Sequence, residues 1–134
     1  AARLNTPLAI IEKRRVGNDD QAEALNVIGD VEGKAALIFD DEVTTGGTLV
    51  DGVSILLERG AREVYFCCTH PVFAGPAIKR INESRVKEVV VTDTIPVNNG
   101  KKPGKITVLP IAPLLGEAIR RIHTGQSVGA MFEQ

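Results

Sequence analysis

The sequence predicts an α/β fold with a mainly parallel sheet and helices on both faces, and three observations carry that expectation. Short apolar runs at 35–39, 64–69, 89–92 and 106–109 alternate with amphipathic stretches of helical period. Runs of this kind read as strands buried on both faces, and the intervening helices make them parallel neighbours. Polar residues close three of the runs: Asp40-Asp41, Thr69-His70 and Thr92-Asp93. Ligands of open α/β sheets sit beyond the carboxyl ends of the strands, so three strands would deliver polar groups to one edge. Finally, no linker, repeat or low-complexity segment divides the 134 residues, which predicts a single domain over 1–134.

Taken in order, Ala1 to Asn5 reads as the last turn of a helix with Asn5 as its C-terminal cap. A chain that opens inside an element is expected to have something before residue 1. Pro7 to about Glu12 reads as a strand, and the charged, glycine-containing stretch from Lys13 to Gln21 as a mobile loop. Asn26-Val27-Ile28 is a short strand, and the turn from Gly29 to Lys34 leads into the central strand at Ala35. After Thr48, Leu49, Val53, Leu56 and Leu57 recur at helical spacing, and Gly60 closes the helix. A strand over Val64–Thr69 precedes a helix begun by Pro76 and running to about Glu83. Val89–Thr92 is the next strand, then a polar, proline-bearing stretch, then the strand Ile106–Leu109. Pro113 opens a last helix whose inner side would carry Leu114, Leu115, Ala118, Ile119 and Ile122.

Composition narrows the function. With 16 Lys and Arg against 17 Asp and Glu the net charge is −1, which disfavours a general polyanion-binding surface but permits a local phosphate site. Aromatic residues make up only 4%, too few for a nucleic-acid stacking platform. No apolar run approaches the ~20 residues of a membrane span and no signal-peptide pattern occurs, so a cytoplasmic protein is expected. Cys67 and Cys68 are adjacent in a strand, where side chains alternate, and read as small buried hydrophobes rather than a disulfide or metal pair. His70, at a strand end, and His123, in the last turn of a helix, have no second ligand at metal spacing; a structural hydrogen bond and a helix-dipole partner are the simpler roles.

The chemistry concentrates in LIFDDEVTTGGT, residues 37–48, a strand, loop and helix start in one stretch. Glycines admit a close backbone approach, consecutive N–H groups and a helix N-terminus favour a phosphate, and threonine hydroxyls add donors. Asp40 and Asp41 can accept hydrogen bonds from a vicinal diol or hold Mg²⁺ through oxygen. A sugar phosphate satisfies all of these groups together. The plainer alternative is that Gly46-Gly47 makes a turn and Thr48 caps a helix.

LIFDDEVTTGGTL, together with PLAIIEKRR, NVIGDVEGK, CTHPVFAGPAIKRI, VVVTDTIP and ITVLPIAPLLGEAIRRIHTGQSVGAMF, resembles the C-terminal domain of the ribose-phosphate pyrophosphokinase family. The likeness covers nearly the whole chain in the family's order. It implies a type I phosphoribosyltransferase-like, Rossmann-like fold and the transfer of diphosphate from ATP to the anomeric hydroxyl of ribose 5-phosphate, giving phosphoribosyl pyrophosphate (PRPP) and AMP. It implies that Lys13 and Arg15 are catalytic cations of a flexible loop, although a solvated charge run is the plainer reading of KRR. Asp40 and Asp41 would hold the ribose hydroxyls, with Mg²⁺ among their ligands, and Thr44, Thr45, Gly46, Gly47 and Thr48 would bind the 5-phosphate. Ser127 matches part of a regulatory phosphate or ADP site, and homo-oligomers built from dimers, as hexamers or tetramers, are implied.

Three positions depart from the family pattern. Thr44 stands where most members carry Asp, Glu42 replaces a usually apolar residue, and Gly129 stands where a second serine follows Ser127-Val128. The resemblance also implies an N-terminal domain that supplies ATP-binding residues, so the 134 residues alone are expected not to complete the reaction. Two other functions stay open: a phosphoribosyltransferase consuming PRPP through the same loop, and a non-catalytic synthetase-associated regulatory protein.

Overall fold

The computed structural model describes residues 1–15, 23–97 and 104–132, and of residues 2, 13–15, 23 and 24 the backbone alone. A 3₁₀ turn over Ala2–Leu4 ends at Asn5, whose φ of 48° is left-handed, as a helix-terminating residue requires. Strands β1 (Ile10–Arg15) and β2 (Glu23–Ile28) then form an antiparallel pair in which Ile10 faces Ile28 and Arg15 faces Glu23. The first strand therefore continues through Lys13-Arg14-Arg15, where the sequence predicted a loop. Charged side chains give no apolar signal, yet pairing satisfies the backbone N–H and C=O groups that face the partner strand along the ribbon. The remainder of the predicted loop, residues 16–21, lies outside the described residues.

The second sheet is the fold's centre. Strands β3 (Ala35–Val43), β4 (Glu63–Pro71), β5 (Glu88–Thr92) and β6 (Ile106–Leu109) lie side by side in that order, and every neighbouring pair is parallel. Helix α1 (Gly47–Glu58) joins β3 to β4, α2 (Ala77–Glu83) joins β4 to β5, and α3 (Ala112–His123) follows β6. Both of the first two crossovers step the same way across the sheet. Right-handed connections then put α1 and α2 on one face, where they touch.

That face holds the core. Leu49, Val53 and Leu56 of α1 and Ile81 of α2 pack with Val64, Phe66 and Cys68 of β4 and Val89 and Val91 of β5. The helical stripe predicted for α1 is the buried one, with Leu57 at its margin. Each fully buried side chain of this size contributes about 1.5–3 kcal/mol by leaving water. Gly60, at φ +87°, ends α1: its N–H bonds the Leu57 carbonyl and the Ala61 N–H bonds the Leu56 carbonyl, a closure that glycine's missing Cβ permits. Cys68 is buried and Cys67 half-buried, both free thiols. Burial, with the Asp40 carboxylate next in importance, pushes Cys68 up to about 11.

Two further expectations need correction. Strand β3 does not stop before Asp40-Asp41 but runs through them to Val43, because β4 extends alongside to Pro71 and pairs Asp40 with Cys68 and Glu42 with His70. And the inner side predicted for α3 is not covered by the described residues: Leu114, Leu115, Ile119 and Ile122 are 46–69% exposed. Amphipathic spacing specifies that a helix has an apolar face, not what packs on it. Among the described residues no helix is long and apolar enough to cross a membrane.

Candidate functional site

At the carboxyl end of β3 the chain leaves the sheet, turns through Thr44 to Gly46 and enters α1. A cavity of about 220 Å³ lies in this bend, lined by Asp40, Asp41 and the loop residues Thr44, Thr45, Gly46, Gly47 and Thr48. Every ribose-phosphate residue named from the sequence thus meets at one place. Because β3 continues through both aspartates, their side chains leave the strand in alternate directions, and both residues line the cavity. Asp40 accepts the Asp41 N–H through Oδ1, and Asp41 accepts the Glu42 N–H through Oδ1, each at 2.9 Å. The second oxygen of each carboxylate has no protein donor among the described residues.

The loop's backbone is oriented from behind. Three consecutive carbonyls accept bonds from the segment after β4: Val43 from the Phe73 N–H at 3.0 Å, Thr44 from the Ala74 N–H at 2.9 Å, and Thr45 from Arg80 Nη1 at 3.1 Å. There is no cis peptide in the described chain, and in a trans peptide the C=O and the following N–H point in opposite directions. The N–H groups of Thr44, Thr45 and Gly46 are therefore turned away from that segment. Gly46 sits at φ 77° and ψ 5°, and its carbonyl accepts the Val50 N–H at 3.1 Å to open α1. Successive amides in such a turn, leading into a helix N-terminus, form a concave anion cradle. The hydroxyls of Thr44, Thr45 and Thr48 have no protein partner among the described residues and are available to a ligand. No side-chain cap is present at this helix start, so the plain capping role for Thr48 is not the one the geometry uses.

The other two strand ends are occupied by structural bonds. The hydroxyls of Thr92 and Thr94 donate to the Thr69 carbonyl at 2.7 and 2.9 Å, and His70 Nδ1 meets Thr94 Oγ1 at 3.0 Å. Asp93 accepts the Ile111 N–H at 2.8 Å and ties β5 to the start of α3. They brace the edge on which the cavity opens. The backbone of Lys13 and Arg15 closes β1, while their side chains lie outside the described residues.

Ser127 stands apart from the cavity, in a terminal segment held to α3. Glu117 accepts two bonds from Arg120 and one from Arg121, and Arg121 Nη1 donates to the Ser127 carbonyl at 2.9 Å. Those two guanidinium groups pull the Glu117 carboxyl down to about 2. Arg80 was not singled out by sequence reasoning. Its only local signal is a basic residue one turn into a short helix, and its partner lies 35 positions away.

A family model described as the phosphoribosyl synthetase-associated domain matches residues 8–133. The ribose-phosphate pyrophosphokinase of Caldanaerobacter subterraneus subsp. tengcongensis is 54% identical over 132 residues, covering 98% of this chain and 42% of that protein. The protein of the same name from Oceanobacillus iheyensis is 51% identical over 133 residues, 99% of this chain and again 42% of its own length. Among solved structures, the phosphoribosylpyrophosphate synthetase from Mycobacterium smegmatis superposes with a TM-score of 0.80 at 39% identity, over 92% of this chain and 39% of that one. The chain thus spans about two fifths of the length of the relatives it matches.

Proposed function

The chain belongs to the family described as the phosphoribosyl synthetase-associated domain, and we propose that it forms the C-terminal, ribose 5-phosphate-binding half of a ribose-phosphate pyrophosphokinase. The observation that carries this reading is the turned-out backbone of Thr44 to Gly46 beside two aspartates with free oxygens. In the proposed complex the 5-phosphate sits against the loop amides and the Thr44, Thr45 and Thr48 hydroxyls. Asp40 and Asp41 accept from the ribose hydroxyls, which fixes the sugar's rotation about its phosphate and turns the anomeric carbon outward.

The reaction then follows from positioning. The anomeric oxygen attacks the β-phosphorus of ATP; the bond from that phosphorus to the α,β-bridging oxygen breaks, and AMP leaves with the oxygen. The anomeric hydroxyl's proton passes to solvent, and the product is PRPP. Phosphoryl transfer is helped mainly by alignment and by cations on the transferring group. We assign that second task to Lys13 and Arg15. Among the described residues no three His, Cys, Asp or Glu cluster as a metal cage. Mg²⁺ fits the donors present only through one or two aspartate oxygens completed by substrate oxygens, its usual mode. When bound it supplies neutralising charge at the diphosphate.

ATP would be held mainly by the part of the enzyme outside these 134 residues, in a cytoplasmic setting and within homo-oligomers. Anion regulation through Ser127 belongs to the same proposal. Neither a transferase consuming PRPP nor a non-catalytic regulator is favoured, since the relatives quoted bear the synthetase's name.

Calorimetric titration of the chain with ribose 5-phosphate and with PRPP in Mg²⁺ tests the reading. Saturable binding is expected, weakened about tenfold in Asp41→Asn, which removes one charge from a charge-assisted bond. Absence of binding by the folded chain would overturn it.

A further inference from the structure

We propose that Arg80 is a positioning residue of the phosphate loop, holding the Thr45 carbonyl so that the loop amides face the cavity. The proposal rests on the sugar-phosphate reading above for its ligand, but its geometry stands separately. The segment from Phe73 to Arg80 offers three donors to three successive loop carbonyls, and only the last of them is a side chain. The first two bonds are made by main chain and need no side chain of Arg80. The third, at the point where the loop turns into Gly46, depends on a single guanidinium.

Two features indicate that this contact is built. Phe73 holds a left-handed φ of 45°, a costly conformation for a bulky residue, and it places consecutive N–H groups opposite Val43 and Thr44. Gly46 lies against Ala77, where a Cβ would stand 3.5 Å from the Ala77 Cα, so α2 and the loop are in direct contact beside the bond. The neighbouring Lys79 points elsewhere and pairs with Glu83 at 3.9 Å. Among the described residues no carboxylate pairs with Arg80. Arg80 is not among the residues that line the cavity, so it acts on the cradle from behind, through the Thr45 carbonyl.

The chemistry predicts a graded series. Arg80→Gln is too short by two bonds to reach Thr45 and loses the charge; Arg80→Lys keeps the charge and a shorter reach. Lys79→Gln removes the same charge from the adjacent position without touching the loop. In ¹⁵N relaxation of the free chain, Arg80→Gln is expected to lower the order parameters of Thr45, Gly46 and Gly47 from about 0.85 towards about 0.6, with those of α1 unchanged. Ribose 5-phosphate should bind about tenfold more weakly to Arg80→Gln, less so to Arg80→Lys, and normally to Lys79→Gln. Loop order parameters equal to wild type in Arg80→Gln would overturn the proposal. A loosened loop in a protein whose wild type binds no ribose 5-phosphate would support the positioning role and overturn the sugar-phosphate reading instead.

Discussion

Gly46 illustrates how one residue carries two duties in this site. Its left-handed backbone turns the chain from β3 into α1, and its carbonyl accepts the Val50 N–H that opens the helix. An alanine there keeps the helix but must hold a conformation that costs an L-residue about 1–2 kcal/mol. Gly46→Ala should therefore lower unfolding stability by that amount in a urea titration and weaken ribose 5-phosphate binding several-fold. Full affinity with the expected loss of stability would separate the turn from the cradle. The loop was legible in the sequence because its chemistry is local: glycines, hydroxyls and carboxylates within nine residues. Arg80 was not, because its role arises from packing between segments 35 positions apart.

At the scale of elements, the same distinction explains which boundaries the sequence revealed. The apolar run of β5 and the buried stripe of α1 followed from apolar spacing, since burial is what selects those residues. Strand ends did not. β1 runs on through Lys13 to Arg15 and β3 through Asp40 to Glu42 because a neighbouring strand pairs their backbones, which side-chain polarity does not report. The last helix shows the complementary case. Its C-terminal closure was not predicted, yet it is specified by charge: Glu117 gathers Arg120 and Arg121, and Arg121 reaches the Ser127 carbonyl. The Glu117 carboxyl is lowered to about 2 from an ordinary 4.5, so its favourable interactions are complete above about pH 4.5 and are lost as pH falls towards 2. A carbon-detected titration should place the Glu117 midpoint near 2, with loosening of residues 124–127 over the same range and little change in global stability, because the pair is exposed. A midpoint near 4 would remove the ion-pair account of this segment.

For the molecule as a whole, the position of the cradle decides how ligand binding couples to folding. The loop is continuous with β3 and α1, and its carbonyls are tied to the segment that leads into α2. The phosphate site is therefore assembled only when the strand–helix–strand unit at the centre of the fold is formed, and an unfolded chain offers no comparable arrangement. A ligand of the native state alone raises stability by mass action, by about 2.7 kcal/mol at a hundred times its dissociation constant. For a domain of 134 residues this corresponds to a rise in Tm on the order of 10 °C. Ribose 5-phosphate with Mg²⁺ should produce that shift in a thermal melt, and Asp41→Asn should reduce it. ATP with Mg²⁺ at the same concentration should produce little, since the proposed nucleotide site draws mainly on residues outside this chain. A large shift with ATP and none with ribose 5-phosphate would reverse the division of labour, making the cradle a nucleotide-phosphate site and moving the sugar to the other part of the enzyme.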